Sequence, residues 1–300
     1  MVQSSLASQR VNWRIALGLG RVSNLPTVWT NVAAGVILAG GTLELAQTLL
    51  LLGAVSLFYV GGMYLNDAFD REIDARERPE RPIPSGKVNS ITVFAAGFSM
   101  LTVGEGLLTI ASYGLDSGMG WPPMVTGLAL VASIVYYDFR HKTDPMSPVI
   151  MGVCRGLVYL TAALAVASGF SSEVIWGAGL MLAYLIGLTY AAKSENLAQI
   201  KNIWPLVFLA LPFAYGLTLI SEGPITIVIF LGFLAWVMYA VYHLVRQGRT
   251  NIPLAVGTLI AGISFLDAML VSGEGEHVIA IFAVGGVVVT RLAQRYIPGT

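Results

Sequence analysis

Four oxygen-bearing side chains recur in the stretch Asn66-Asp67-Ala68-Phe69-Asp70-Arg71-Glu72-Ile73-Asp74, where a long apolar segment runs into a charged one. If the helix of that segment continues, an advance of roughly 100° per residue puts Asp67, Asp70 and Asp74 roughly 100°, 40° and 80° from Asn66, all on one face. Three carboxylates that close repel one another unless a cation compensates, which is a physical reason to expect a bound divalent ion. Hard oxygen donors suit magnesium, with waters or substrate phosphates completing its octahedron. The stretch leads into Arg78-Pro79-Glu80-Arg81-Pro82-Ile83-Pro84-Ser85-Gly86, and arginine is a bidentate partner for phosphate. Together these residues predict a metal-diphosphate site at a membrane surface. The bland alternative is a solvated connector, because the six acids and five bases of 67–87 nearly cancel. Against it stands the register, since the acids begin inside the apolar segment and keep to one face.

The surrounding elements are membrane spans. Hydrophobic residues fill 56% of 300 positions and charged ones 11%, against about 25% charged in soluble domains. Apolar runs near the roughly 20 residues needed to cross hydrocarbon predict an all-α polytopic transmembrane bundle of nine helices. Their approximate spans are 22–40, 46–66, 88–112, 121–138, 148–169, 173–192, 203–220, 224–244 and 252–271, with a short possible tenth at 277–290. Residues 1–20, where Trp13, Ile15 and Leu17 sit among arginines, read as an interfacial segment, and the whole of 1–300 as one membrane domain.

Lys and Arg concentrate on the cytoplasmic side of such bundles. Here they occupy alternate connections: Arg71 to Lys87, Arg140 with Lys142, Lys193 with Lys201, and Arg246 with Arg249. The intervening connections carry only acids, so the Asp-rich loop is expected in the cytoplasm, with the plasma membrane as the host bilayer. The single cysteine, Cys154, excludes an intramolecular disulfide and a cysteine-cluster metal site, and reads as a packing residue. Zero net charge and the lack of a basic, aromatic-interleaved cluster argue against nucleic acid. His141, His243 and His277 are isolated and give no metal-ligand spacing.

Asn66-x3-Asp70-x3-Asp74 with its extra Asp67, the downstream Arg81-Pro82 and Gly86, and about nine spans resemble the UbiA superfamily of intramembrane prenyltransferases, with the UbiA-like EboC branch the nearest in pattern. The resemblance covers nearly the whole chain. It implies that Asn66, Asp67, Asp70 and Asp74 bind Mg2+ and an isoprenyl diphosphate. Arg21-Val22-Ser23-Asn24-Leu25-Pro26 is similar to the family's entry to its first helix. Tyr136-Tyr137-Asp138-Phe139-Arg140-His141-Lys142 lies where the family has a Tyr followed by a basic pair, implying substrate contacts for Arg21, Tyr136, Arg140 and Lys142. The family's second Asp-rich motif falls at Tyr190-Ala191-Ala192-Lys193-Ser194-Glu195-Asn196, where Glu195 is the only carboxylate. Tyr190, Glu195 and Asn196 are candidate substrate-binding residues there. Lys193 or Lys201 is expected to neutralise phosphate in place of a second metal, beside Arg78.

Glu105, Arg155 and Asp267 fall at membrane depth, where charge is costly and a partner or a function is expected. Arg155 reads equally as a bundle ion pair or as a pocket residue, Asp267 shares that ambiguity, and Glu105 reads as structural. The expected activity is Mg-dependent isoprenyl transfer from the diphosphate to an unidentified prenyl acceptor in the lipid bilayer. The alternative is a non-catalytic relative that binds or transports a lipid or hydrophobic metabolite. A CDP-alcohol phosphotransferase also uses Asp-rich helices, but this chain lacks that pattern's glycine after the second Asp.

Overall fold

The computed structural model describes residues 13–193, 204–246 and 251–299. In chain order the helices are α1 (Trp13–Leu19), α2 (Leu25–Leu38), α3 (Leu45–Phe69), α4 (Arg71–Glu77), α5 (Ser90–Tyr113) and α6 (Pro122–Arg140), followed by α7 (Ser147–Leu164), α8 (Ser172–Lys193), α9 (Leu211–Leu219), α10 (Pro224–Val245), α11 (Ile252–Gly273) and α12 (His277–Ala293). A 3-10 segment, Trp204–Ala210, leads into α9. Proline in the first turn starts α2, α6, α7, α9, α10 and α11, where its missing N–H has no intrahelical partner to lose.

Among the described residues, eight helical segments are long and apolar enough to cross a membrane, so this is an integral membrane protein built as a helical bundle. The count corrects the expectation of nine spans with a short tenth. The first expected span, 22–40, is a 3-10 turn and a 14-residue α2 that stops before Gly40, whose φ of 71° ends the helix. The last, α12, is also below spanning length. Both are apolar and belong to the bundle, α2 against α7 and α11, and α12 against α11. The most enclosed helix is α11, with 83% of its spanning window buried, and it forms the axis on which α2, α8, α10 and α12 pack.

Lipid chains are as apolar as leucine, so helices associate in membranes through close packing and polar contacts. Helices α3 and α5 meet where Gly61 faces Gly97: a Cβ on Gly61 would lie 2.9 Å from the Gly97 carbonyl oxygen. At the buried centre, Asp267 of α11 accepts hydrogen bonds from Asn31 Nδ2 (2.8 and 2.9 Å), Thr30 and Tyr159. Asn31 Oδ1 in turn accepts from Arg155 Nη1 at 2.7 Å. The two membrane-depth charges are therefore linked through an amide, tying α2, α7 and α11 together.

Glu105 differs from the expected structural ion pair. Among the described residues neither of its buried carboxylate oxygens has a hydrogen-bond partner, and they lie beside Gly127 of α6. An unmade hydrogen bond to a buried group costs about 1–3 kcal/mol. Glu105→Met is accordingly expected to stabilise the protein by about 1 kcal/mol or more, read as a higher unfolding temperature in detergent. An unchanged or lower temperature would show that the carboxylate has a stabilising partner.

Candidate functional site at the mouth of the bundle

The ends of α3, α6 and α8 and the beginnings of α2, α7 and α11 enclose a cavity of about 290 Å3. Its inner wall is apolar, with Val28, Phe58, Leu130, Val158, Leu188 and Ile263 among its residues, and its polar groups gather at the end carrying the Asp-rich loop. The helix bearing the acids ends at Phe69, and a new one begins at Arg71. Asp70 bridges them without losing the helical ladder, because its N–H donates to Asn66 O (3.0 Å) and its carbonyl accepts from Asp74 N–H (2.8 Å). The shared face expected from helical periodicity survives, and Asn66, Asp70 and Asp74 line the cavity.

Each acid is met by a cation. Asp67 is not part of the cavity lining. Its Oδ1 pairs with Arg21 Nη2 (3.1 Å) and Arg81 Nη1 (3.3 Å). Arg81 Nη1 also reaches Asp74 Oδ2 at 2.8 Å. Asp70 Oδ2 stands 3.3 Å from both His141 Nε2 and Lys142 Nζ. Two backbone features aim these cations. Arg21 sits at φ 43°, a left-handed conformation costly for a residue with a Cβ, directly before the turn into α2. Gly86, at φ 74°, closes the turn that folds Arg81 back under the acids, with its N–H donating to the Ile83 carbonyl.

The other expected site residues divide. Arg21, Arg78, Lys142 and Arg155 line the cavity. Arg155 donates to Asn31 and Thr27, and its guanidinium lies 5.6 Å from the centre of the Tyr59 ring, so it is both structural and cavity-facing. Tyr136 and Arg140 turn outward: the Tyr136 hydroxyl donates to Asp144 at 3.1 Å, and Arg140 covers Phe139. Tyr190 is not in the lining. Lys193 is not in the lining, and its Nζ donates to Ser147 Oγ, which joins the end of α8 to the start of α7. Glu195, Asn196 and Lys201 lie outside the described residues.

Tyr137, Asp138 and His141, to which the sequence assigned no site role, line the cavity, as does Arg81 of the expected phosphate-binding stretch. Tyr137 and His141 stack with ring centres 5.0 Å apart. Only the basic stretch around His141 offered a signal, and it pointed to Arg140 and Lys142. The oxygen donors suit a hard divalent ion. Among the described residues, however, no three acidic, His or Cys side chains converge as a metal-holding group. A metal would have to take carboxylates now held by Arg81, His141 and Lys142.

Burial alone would raise the Asp70 carboxyl, but hydrogen bonding and charge from His141, and then Lys142, hold it below its ordinary value. Its stabilising contribution is therefore present above the unfolded value of 3.8 and lost as pH falls through the lower folded one. In metal-free protein the difference in unfolding temperature between wild type and Asp70→Asn should narrow as pH falls from about 6 to about 3. A difference of equal size at about pH 3 and about pH 6 would contradict this pairing.

The pattern of the UbiA prenyltransferase family matches residues 27–271. Digeranylgeranylglyceryl phosphate synthase of Methanopyrus kandleri is 30% identical over 68% of this chain and 70% of its own length. The synthase of that name from Thermococcus kodakarensis is 27% identical over 80% and 92%. Among solved structures, one of a digeranylgeranylglyceryl phosphate synthase superposes with a TM-score of 0.58 at 18% identity, covering 91% of this chain and 99% of that one. A UbiA homolog from Archaeoglobus fulgidus, bound to DMAPP and Mg2+, does so at 0.53 and 12% identity, covering 92% and 98%. These likenesses carry the fold, and the sequence match over most of the chain carries the kinship: this protein belongs to the UbiA prenyltransferase family.

Proposed function

We propose that this protein transfers an isoprenyl group from an isoprenyl diphosphate to an unidentified acceptor within the membrane, in a Mg2+-dependent reaction. The observation that carries the reading is the cavity itself, apolar along its length and lined at one end by Asn66, Asp70 and Asp74 beside Arg21, Arg78, Arg81 and Lys142. An isoprenyl diphosphate has the same division, a hydrocarbon tail and a multiply charged head. The Archaeoglobus fulgidus homolog with DMAPP and Mg2+ supports this ligand class.

The ion pairs suggest how the site accepts its substrate. Arg81, as a bidentate partner, and Lys142, as a point charge, would exchange carboxylate oxygens for phosphate oxygens. The carboxylates so released, with Asn66 and with Asp67 behind them, would hold the metal. Bound magnesium would supply charge neutralisation that makes diphosphate a better leaving group. Arg21 and Arg78 stabilise the charge developing on the departing group. Apolar walls keep water from the allylic cation until the acceptor attacks it. Tyr59, covered on one face by Arg155, and Tyr137, stacked on His141, are the tyrosine rings of the lining, each with one face left to meet a cation. Arg155, deeper in the cavity, is the cation available to a polar acceptor.

Placement in the UbiA-like EboC branch rests on the sequence alone, as does treatment of 1–300 as one domain. Binding or transport without chemistry is a second reading, favoured by the sparse acids of 190–196 and by Lys193 being engaged with Ser147.

Protein kept in its native membranes, where the acceptor is available to take the isoprenyl group, is expected to release pyrophosphate from geranylgeranyl diphosphate in the presence of Mg2+. Asp70→Ala should abolish both the release and Mg2+-dependent diphosphate binding while leaving the protein inserted and folded. Tight binding without release by the wild type would favour the second reading, and undiminished binding by Asp70→Ala would refute the site.

The Lys/Arg distribution supports a cytoplasmic Asp-rich loop, with the plasma membrane as the proposed host bilayer. Ser147 is fully buried, so the exposed Ser85 and Thr143 are the better inside reporters, with Ser221 outside. In a Cys154→Ser background, single cysteines at the first two should resist an impermeant thiol reagent in intact cells while Ser221→Cys reacts. Labelling of Ser85→Cys in intact cells would reverse the orientation.

A further inference from the structure

One acid of the mouth, Asp138, takes part in none of the ion pairs found there among the described residues. Asp138 lies in the last turn of α6, one turn before the His141 and Lys142 that hold Asp70, and only 3% of it is exposed. Its Oδ1 accepts a hydrogen bond from Asn66 Nδ2 at 3.1 Å. Among the described residues its buried Oδ2 has no hydrogen-bond partner. That oxygen faces the cavity side of α3, where a Cβ on Gly62 would lie 4.0 Å away, and Gly62, Asn66 and Asp138 all line the cavity.

A buried carboxylate with one unserved oxygen is costly in either protonation state: ionised it lacks a donor, and protonated it lacks an acceptor. The nearby cations are committed, Arg21 to Asp67 and Met63, His141 and Lys142 to Asp70. Asn66 adds a second argument. An amide ligates metal through oxygen, and by donating Nδ2–H to Asp138 it is fixed with Oδ1 turned to other partners. Asp138 thus orients one expected ligand and offers an oxygen of its own.

We infer that Asp138 is a further oxygen ligand of the divalent cation at this mouth, supplying from α6 a carboxylate that the 190–196 stretch lacks. The inference rests on the proposed reading of the mouth as a metal-diphosphate site. It gives the 136–142 stretch a metal-directed role distinct from the substrate contacts expected of Tyr136, Arg140 and Lys142.

Mn2+ binding to the purified full chain with inorganic pyrophosphate, followed by loss of the free-ion EPR signal, tests the assignment without reference to turnover. Asp138→Asn keeps the side-chain shape and an acceptor for Asn66, and is expected to weaken Mn2+ binding about tenfold or more. Asp70→Asn is measured alongside. Loss in Asp70→Asn with wild-type affinity in Asp138→Asn overturns the role of Asp138 and leaves the mouth a metal site, whereas wild-type affinity in both overturns the mouth as well. Asp138→Cys in a Cys154→Ser background provides an independent reading, because a thiolate ligand shifts preference from Mn2+ toward Cd2+. A Cd2+ to Mn2+ preference equal to that of Cys154→Ser alone would equally overturn the inference.

Discussion

The architecture turns on a charge balance at the edge of hydrocarbon. Asp67, Asp70, Asp74 and Asp138 are withdrawn from water at the mouth of an apolar cavity, and each of the first three is met by a basic side chain from elsewhere in the chain. Taking a charge out of water costs several kcal/mol even after relaxation, and close partners must offset it. That requirement explains the left-handed Arg21, the turn closed by Gly86 and the approach of α6 to α3, all of which deliver cations or hydrogen bonds to one helix face.

The same balance links stability to function. Basic groups that neutralise carboxylates in the empty site are also phosphate binders, so a metal-diphosphate ligand can replace one set of ion pairs by another without leaving charge uncompensated. Deeper in the bundle, Asp267, Asn31 and Arg155 obey the same rule with no exchangeable partner in view. There the polar groups lock three helices together, and the guanidinium above Tyr59 is held in place within the cavity wall.

What the sequence disclosed follows from the range of the interactions. Asn66, Asp70 and Asp74 share a face because of local helical periodicity, so their convergence was legible, as were the spanning segments. His141 and Asp138 act through contacts with another helix, Asp70 meeting His141 across 71 positions of chain and Asn66 meeting Asp138 across 72. No short-range pattern encodes that. Lys193 shows the converse: its place in a stretch with a single carboxylate suggested a cation standing in for a metal, but a hydroxyl on α7 accepts a hydrogen bond from its ammonium group. The span count shifted because α2 and α12 are apolar yet short, and burial in the bundle rather than length defines their place.

The exchange of ion pairs is tested most directly by the affinity of wild-type protein for geranylgeranyl diphosphate, measured across a range of Mg2+ concentrations. If carboxylates released to the metal free Arg81 and Lys142 for phosphate, the two ligands assist each other reciprocally, and diphosphate affinity rises with Mg2+ and falls on chelation. An affinity that is the same in EDTA and in saturating Mg2+ would contradict the account.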